Sequence, residues 1–193
     1  MFVKQYACVF EDKIPLSFCN DILKFCTSKE NLKGQIGNQQ NVYKKVRDSN
    51  ITWVDELWAF HMIKPFVYEA NRTAGWNFII NTLEQLQFTR YSYKSKQHYS
   101  WHIDNDIFHD DEKSPAPLRK LSFTVQLSEP EEYEGGELLI DTGVTDQRIN
   151  SFEKFKKKGT IIVFPSFMKH KINPITKGVR YSLVGWFGGP IFK

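Results

Sequence analysis

The sequence is poor in cysteine, glycine and proline, and it has no long apolar run. Cys8, Cys19 and Cys26 are its only cysteines. They are odd in number, confined to the N-terminal part and form no CxxC. That pattern excludes a disulfide framework and leaves reduced thiols in or near a core. With 11 Gly and 8 Pro, and no Gly/Ser/Pro-rich stretch or internal repeat, nothing divides the chain, so one domain over residues 1–193 is expected. No segment approaches 18 apolar residues, and the start, MFVKQYACVFEDK, has no apolar stretch followed by a small-residue cleavage site. The expectation is a cytoplasmic protein, neither secreted nor membrane-spanning. A large excess of one charge is missing too: Lys+Arg 26 against Asp+Glu 22 gives +4. Much of the surplus is the run Lys154, Lys156, Lys157, Lys158, which reads as a solvated loop, and no nucleic-acid partner is expected.

Aromatic residues are plentiful, at 15% with 16 Phe and 5 Trp, as suits a β-rich core. Two helical patterns lie early, in a brace of roughly 1–75. In the first, from about Ser17 to Cys26, Phe18, Ile22 and Cys26 recur at spacing four. The second opens at Thr52, read as an N-cap with Asp55 three residues on, and carries Val54, Leu57, Trp58, Phe66 and Val67 towards one face, with a kink or break at Pro65.

From about residue 76 the pattern turns to strands: WNFII, QLQFTRYSY, RKLSFTVQLS, GELLI, GTIIVF and VRYSLVGWF, separated by turn signals such as Glu134-Gly135-Gly136 and Asn173-Pro174. Short strands without intervening helices predict a mainly β, α+β fold with an antiparallel jelly-roll or cupin-like core rather than a βαβ fold. In RKLSFTVQLS the apolar Leu121, Phe123, Val125 and Leu127 alternate with Ser122, Thr124 and Gln126. Period two gives one greasy and one polar face. The polar face either meets water or lines a polar cavity while the greasy face packs on the early helices.

His102 and Asp104 form a His-x-Asp pair. On a strand or its end, residues i and i+2 project to one side, so imidazole and carboxylate can converge on one ion. Two neutral imidazoles and one carboxylate on one face of a metal leave three open positions, the facial triad suited to non-haem Fe(II). The third ligand has to come from His61, His98, His109 or His170. His170 follows the apolar strand GTIIVFP, at a strand end where a cavity can present it. Ten residues on is Arg180, on the same parity as Ser182, Val184 and Trp186. Its guanidinium offers a planar fork for a carboxylate, with a neighbouring hydroxyl as a further donor. An unpaired Arg inside an apolar strand is costly, so an anionic partner is expected.

Taken together these residues resemble the 2-oxoglutarate/Fe(II) oxygenases of the prolyl 4-hydroxylase-like group, and most closely the bacterial and viral PKHD-type hydroxylases. The shared pieces are Arg90-Tyr91, Tyr99 through Asp104, Leu121-Ser122, Leu127-Ser128-Glu129-Pro130, Tyr133 through Leu138, Phe164-Pro165-Ser166, and His170 to Arg180 with Pro174 and Gly178 between. The resemblance implies a double-stranded β-helix with iron on His102, Asp104 and His170. It further implies that Arg180 pairs with the distal carboxylate of 2-oxoglutarate, that Tyr91 and Ser182 contact the same cosubstrate, and that Gln126 stands where relatives often have a tyrosine. Tyr99, Trp101 and Trp186 are the substrate-pocket candidates.

The reaction so implied uses O2, with ascorbate as accompanying reductant. It couples decarboxylation of 2-oxoglutarate to succinate and CO2 with hydroxylation of an unactivated C–H bond. Asp104 disfavours halogenation, which in such relatives needs the carboxylate removed. The expected substrate is a peptidyl prolyl residue, with a small molecule or free amino acid as the competitor and nucleic-acid demethylation behind both. A non-catalytic cupin-like metal module is the reading from a different class. The segment NDIFHDDEKSPAP, 105–117, is either a substrate lid or a surface loop.

Overall fold

The computed structural model describes residues 2–4, 6–29, 32–33, 46–105, 118–143 and 149–190. The chain runs β1 (Phe2–Lys4), β2 (Ala7–Phe10), α1 (Leu16–Thr27), β3 (Leu32–Lys33), β4 (Arg47–Asp48), β5 (Asn50–Val54), α2 (Leu57–Thr73), β6 (Thr82–Leu83), β7 (Leu86–Ser92), β8 (His98–His102), β9 (Leu118–Gln126), β10 (Tyr133–Gly135), β11 (Leu138–Asp141), β12 (Ile149–Ser151), β13 (Ile161–Pro165), β14 (Lys169–Ile172) and β15 (Ile175–Gly189). The larger sheet has the order β1-β2-β13-β9-β15-β7-β5-β3, with β10 and β6 also pairing with β15. The smaller has the order β12-β11-β14-β8-β4, and every pairing is antiparallel. This is the expected double-stranded β-helix.

Period-two alternation sorts the larger sheet into two faces. Cys8 and Phe10, Leu121, Phe123 and Val125, and Ile161 and Val163 share one buried cluster with Phe18, Cys19, Ile22 and Cys26 of α1 and Ala59, Ile63, Val67 and Ala70 of α2. The helices therefore brace the greasy face of β9. The other face gives Ala7, Val9, Tyr91, Ile162 and Phe164 to a second cluster, which also takes Leu138, Ile140 and Ile172 from the smaller sheet.

Several local expectations differ. Thr52 caps no helix: 50–54 is a strand paired with β7, and α2 begins only at Leu57. Leu57 and Trp58, expected on the buried face, are 72% and 40% exposed. Pro65 lies inside α2 without ending it. Its ring is on the exposed side, and the buried stripe offsets an interior-proline cost of about 3 kcal/mol. The segment WNFII forms no strand; its alternate Trp76, Phe78 and Ile80 pack on the helix-side cluster. The N-terminal brace is also not purely helical, since β1 to β5 extend both sheets.

Candidate metal and cosubstrate site

The two sheets enclose a cavity of about 310 Å³. Its larger-sheet wall is a grid set by register. Arg180 faces Tyr91, and Ser182 faces Thr89 on one side and Gln126 on the other. Val184 lies between Gln87 and Thr124, and Trp186 faces Ser122. The polar face of β9 is therefore turned inward: Ser122, Thr124 and Gln126 are all buried.

Opposite stands the metal-ligand group. His170 and His102 are cross-strand partners on β14 and β8, with ring centroids 4.1 Å apart. Asp104 lies just beyond β8, where its backbone N–H donates to Ser166 O at 3.0 Å. Asp104 Oδ1 is 3.5 Å from His102 Nε2, and Oδ2 is 3.5 Å from His170 Nε2. Among the described residues this is the one group of three such side chains that could hold a metal ion. His61 is exposed on α2, and His98 opens β8, with its Nδ1 3.1 Å from Lys96 O. His109 and the 106–117 part of the expected lid lie outside the described residues.

The donor set fits a divalent cation. His102 Nδ1 lies 2.8 Å from Ser100 O and His170 Nδ1 lies 2.8 Å from Met168 O. A carbonyl can only accept, so both Nδ1 atoms carry the proton and both Nε2 lone pairs point at the carboxylate. Burial pushes the His170 imidazole down to about 4, with Asp104 pulling the other way and His102 adding to the fall, so it is a neutral ligand at pH 7. Burial works against ionisation of Asp104, but His170, His102 and the Ser122 hydroxyl outweigh it and hold the carboxyl well below its usual range. Ser122 Oγ donates to Asp104 Oδ2 at 2.7 Å, and Ser166 Oγ is 2.9 Å from Ser122 Oγ. Three electron-rich atoms turned on one another are satisfied by a cation between them.

The cavity also fits an anion at its other wall. Arg180 is 1% exposed, yet it has no carboxylate partner among the described residues. Its Nη2 donates to Gln126 Oε1 at 3.0 Å, and its guanidinium carbon lies 5.7 Å from the Tyr91 ring centre. Four buried polar atoms on cavity-lining residues lack a hydrogen-bond partner among the described residues: Arg180 Nε, Ser182 Oγ, Thr124 Oγ1 and Trp186 Nε1. Unpaired buried donors around an unneutralised guanidinium mark a place for a carboxylate.

Of the residues singled out from sequence, His102, Asp104, His170, Arg180, Tyr91, Ser182, Tyr99 and Trp186 line this cavity. Gln126 reaches it only through Arg180. Trp101 does not line it, contrary to expectation. The β8–β14 register shifts between His170 and Ile172, so Tyr99 and His102 share a side, their rings stacked at 3.5 Å. Trp101 lies instead by Lys169 and Lys171, whose Nζ atoms are 6.0 and 5.1 Å from its ring centre. Sequence reasoning missed two arginines. Arg119 lies 4.0 Å over the Trp186 ring and is paired with Glu84 at 2.5 and 2.6 Å. Arg47 lines the cavity from β4. Neither sits in a motif, so no sequence signal marked them.

A sequence model described as the 2OG-Fe(II) oxygenase superfamily matches residues 86–188. A PKHD-type hydroxylase of Alteromonas mediterranea is 39% identical over 100 residues, 51% of this chain and 41% of its own length. One from Hyphomonas neptunium is 38% identical over 94 residues, 48% of this chain and 38% of its own. The chain thus spans about two fifths of the curated relatives it matches. Among solved structures, a Pseudomonas putida prolyl-4-hydroxylase aligns with a TM-score of 0.71 at 21% identity, over 94% of this chain and 92% of that one. A prolyl hydroxylase from Trichoplax adhaerens, solved in complex with a hypoxia inducible factor peptide fragment, aligns with a TM-score of 0.72 at 15% identity, over 96% and 84%. At these identities the structural likeness is one of fold. The family's sequence pattern runs through both walls of the cavity, and the chain belongs to the 2OG-Fe(II) oxygenase superfamily.

Proposed function

We propose that residues 1–193 act as one oxygenase domain, dependent on Fe(II), 2-oxoglutarate and O2, that hydroxylates an unactivated C–H bond of a peptidyl prolyl residue and releases succinate and CO2. One observation carries this reading: an unneutralised, buried Arg180 shares a cavity with the His102, Asp104 and His170 group. A dicarboxylate held at both ends needs both features, and a metal module without catalysis needs only the second.

His102 Nε2, His170 Nε2 and one Asp104 oxygen would hold the iron, which when bound supplies the oxidative chemistry. Ser122 orients the Asp104 carboxylate, and the carbonyls of Ser100 and Met168 fix the two imidazoles. Arg180 anchors the distal carboxylate of 2-oxoglutarate, with Ser182 and Thr124 as further donors and Tyr91 alongside. Phe164, Ile172 and Leu138 line the same space and exclude water from it. Ascorbate is the proposed accompanying reductant.

A peptide is favoured because a structural relative is described with a bound peptide fragment. The cavity rim also carries exposed apolar groups, Trp53 at 40% and Ile103 at 47%. The test is anaerobic addition of Fe(II) and 2-oxoglutarate, which should produce a visible metal-to-ligand band, followed by succinate release in air. Proline-containing peptides that turn over should gain the mass of one oxygen. Wild-type protein indistinguishable from His102→Ala and Arg180→Ala in band and succinate would overturn the reading.

A further inference from the structure

Among the described residues the cavity holds one more cation than this chemistry uses. Fe(II) and Arg180 together balance Asp104 and both carboxylates of 2-oxoglutarate, and Arg119 is balanced by Glu84. Arg47 is left over. It is 8% exposed and lines the cavity, yet no carboxylate lies within ion-pair distance among the described residues. Its sequence neighbour Asp48 is occupied, accepting from Gln97 Nε2 at 3.2 Å.

Its local partners are neutral. Arg47 Nε donates to Ser49 Oγ at 3.0 Å, and the guanidinium carbon lies 4.8 Å from the ring centre of Tyr99, its cross-strand partner. A guanidinium carries five N–H donors, and one hydroxyl and one ring satisfy only part of it. A buried cation with no counter-charge among the described residues is costly. Tyr99 in turn stacks on His102, so Arg47 stands one ring beyond a proposed iron ligand. The smaller-sheet edge therefore carries a fixed positive group beside the reacting centre, apart from the Arg180 anchor on the larger sheet.

We infer that Arg47 is a specificity-determining residue that receives a carboxylate of the substrate, so the preferred substrate carries an acidic group close to the carbon that is hydroxylated. The inference rests on the oxygenase reading and narrows its substrate class. The carboxylate comes either from an acidic side chain flanking proline in a peptide or from the α-carboxylate of a free amino acid.

Matched acid and amide probes test it. N-acetylated, C-amidated proline tripeptides with Glu or Gln before or after proline address the side-chain source; L-proline against L-prolinamide addresses the α-carboxylate. Binding is read as a change in tryptophan emission, since Trp53 and Trp186 line the cavity, in protein loaded anaerobically with Fe(II) and 2-oxoglutarate, and turnover as succinate. In at least one pair the acid should bind about tenfold more tightly than its amide. Arg47→Gln should bring that ratio to within about twofold and Arg47→Lys should keep part of it, since a point charge lacks the fork. Acid and amide behaving alike in every pair with wild-type protein, absence of binding included, overturns the inference without recourse to any variant. So does a ratio that survives Arg47→Gln, or a loss in Arg47→Gln confined to 2-oxoglutarate affinity, which assigns Arg47 to the cosubstrate. If 2-oxoglutarate neither binds to nor is consumed by wild-type protein, the oxygenase reading has failed; acid–amide discrimination at Arg47 is still read by tryptophan emission without additions.

Discussion

Ser122 on β9 holds the carboxylate of Asp104 across the gap between the sheets, donating to Oδ2 at 2.7 Å. The contact fixes the plane of the carboxyl group. Ser122→Ala should fold normally and bind Fe(II) or Mn(II) about 10–100-fold more weakly, as loss of a ligand-orienting hydrogen bond typically does. Calorimetric metal titration measures this. Unchanged affinity would mean that the Asp104 N–H to Ser166 contact alone sets the carboxylate.

Gln126 Oε1 accepts a hydrogen bond from Arg180 Nη2 at 3.0 Å, which holds the guanidinium in place. Gln126→Leu leaves the guanidinium with one fewer partner in a buried setting, at a cost of about 1–3 kcal/mol to stability. The affinity for 2-oxoglutarate should fall, by less than in Arg180→Gln, and metal affinity should be unaltered. Thermal unfolding and 2-oxoglutarate titration of the metal-loaded protein separate these effects.

The two tryptophans should behave oppositely. Trp101 lies away from the cavity beside two lysines, so Trp101→Ala should leave 2-oxoglutarate and substrate constants close to wild type and cost about 1 kcal/mol or less. Trp186 lines the cavity, its buried Nε1 without a hydrogen-bond partner among the described residues, and Trp186→Phe, which keeps a ring under Arg119, should raise the KM of the substrate. Steady-state kinetics with both variants decide it; a large KM effect from Trp101→Ala would contradict its place outside the cavity.

The three thiols make stability fall in alkali. Burial pushes Cys8 and Cys19 up to about 11 and Cys26 up to about 12, against an ordinary value near 9. The folded state therefore keeps its protons where the unfolded state has lost them. The stabilisation is complete below about pH 9 and is lost as pH rises through about 11 to 12. Denaturant midpoints at pH 8 and pH 10.5 should show the drop, and substitution of the cysteines by alanine should flatten it. In the native state near pH 8, alkylation of all three should be slow and should become fast on unfolding.

Where one physical rule dominated, the sequence was legible. Strict alternation in 118–126 set Leu121, Phe123 and Val125 on one face and Ser122, Thr124 and Gln126 on the other, and the structure decides the open choice for the polar face, which turns inward. Phe18, Ile22 and Cys26 read as one helical stripe through their spacing of four. The legible part of the site was the set of residues tied to close spacing, His102 with Asp104 and His170 with Arg180. Competing rules hid the rest. Thr52 and Asp55 mimic a helix start but lie in a strand and the turn after it, since pairing with β7 outweighs local capping. Trp76, Phe78 and Ile80 alternate like a strand yet form none. Lys169 and Lys171 disguise β14 as a polar loop, and the shift that brings Tyr99 to the side of His102 depends on the partner strand. Arg47 is a lone arginine in sequence, and only the cavity gives it meaning.

β14 carries His170 in the smaller sheet and β15 carries Arg180 in the larger, and β15 is clamped by β7 and β9 along most of its length. The interval from metal to guanidinium is thereby a fixed gauge rather than an adjustable grip. A 2-oxo diacid one methylene shorter or longer than 2-oxoglutarate should not seat both ends without shifting one sheet against the other. The protein should therefore select its cosubstrate by length before any side chain of the substrate is consulted.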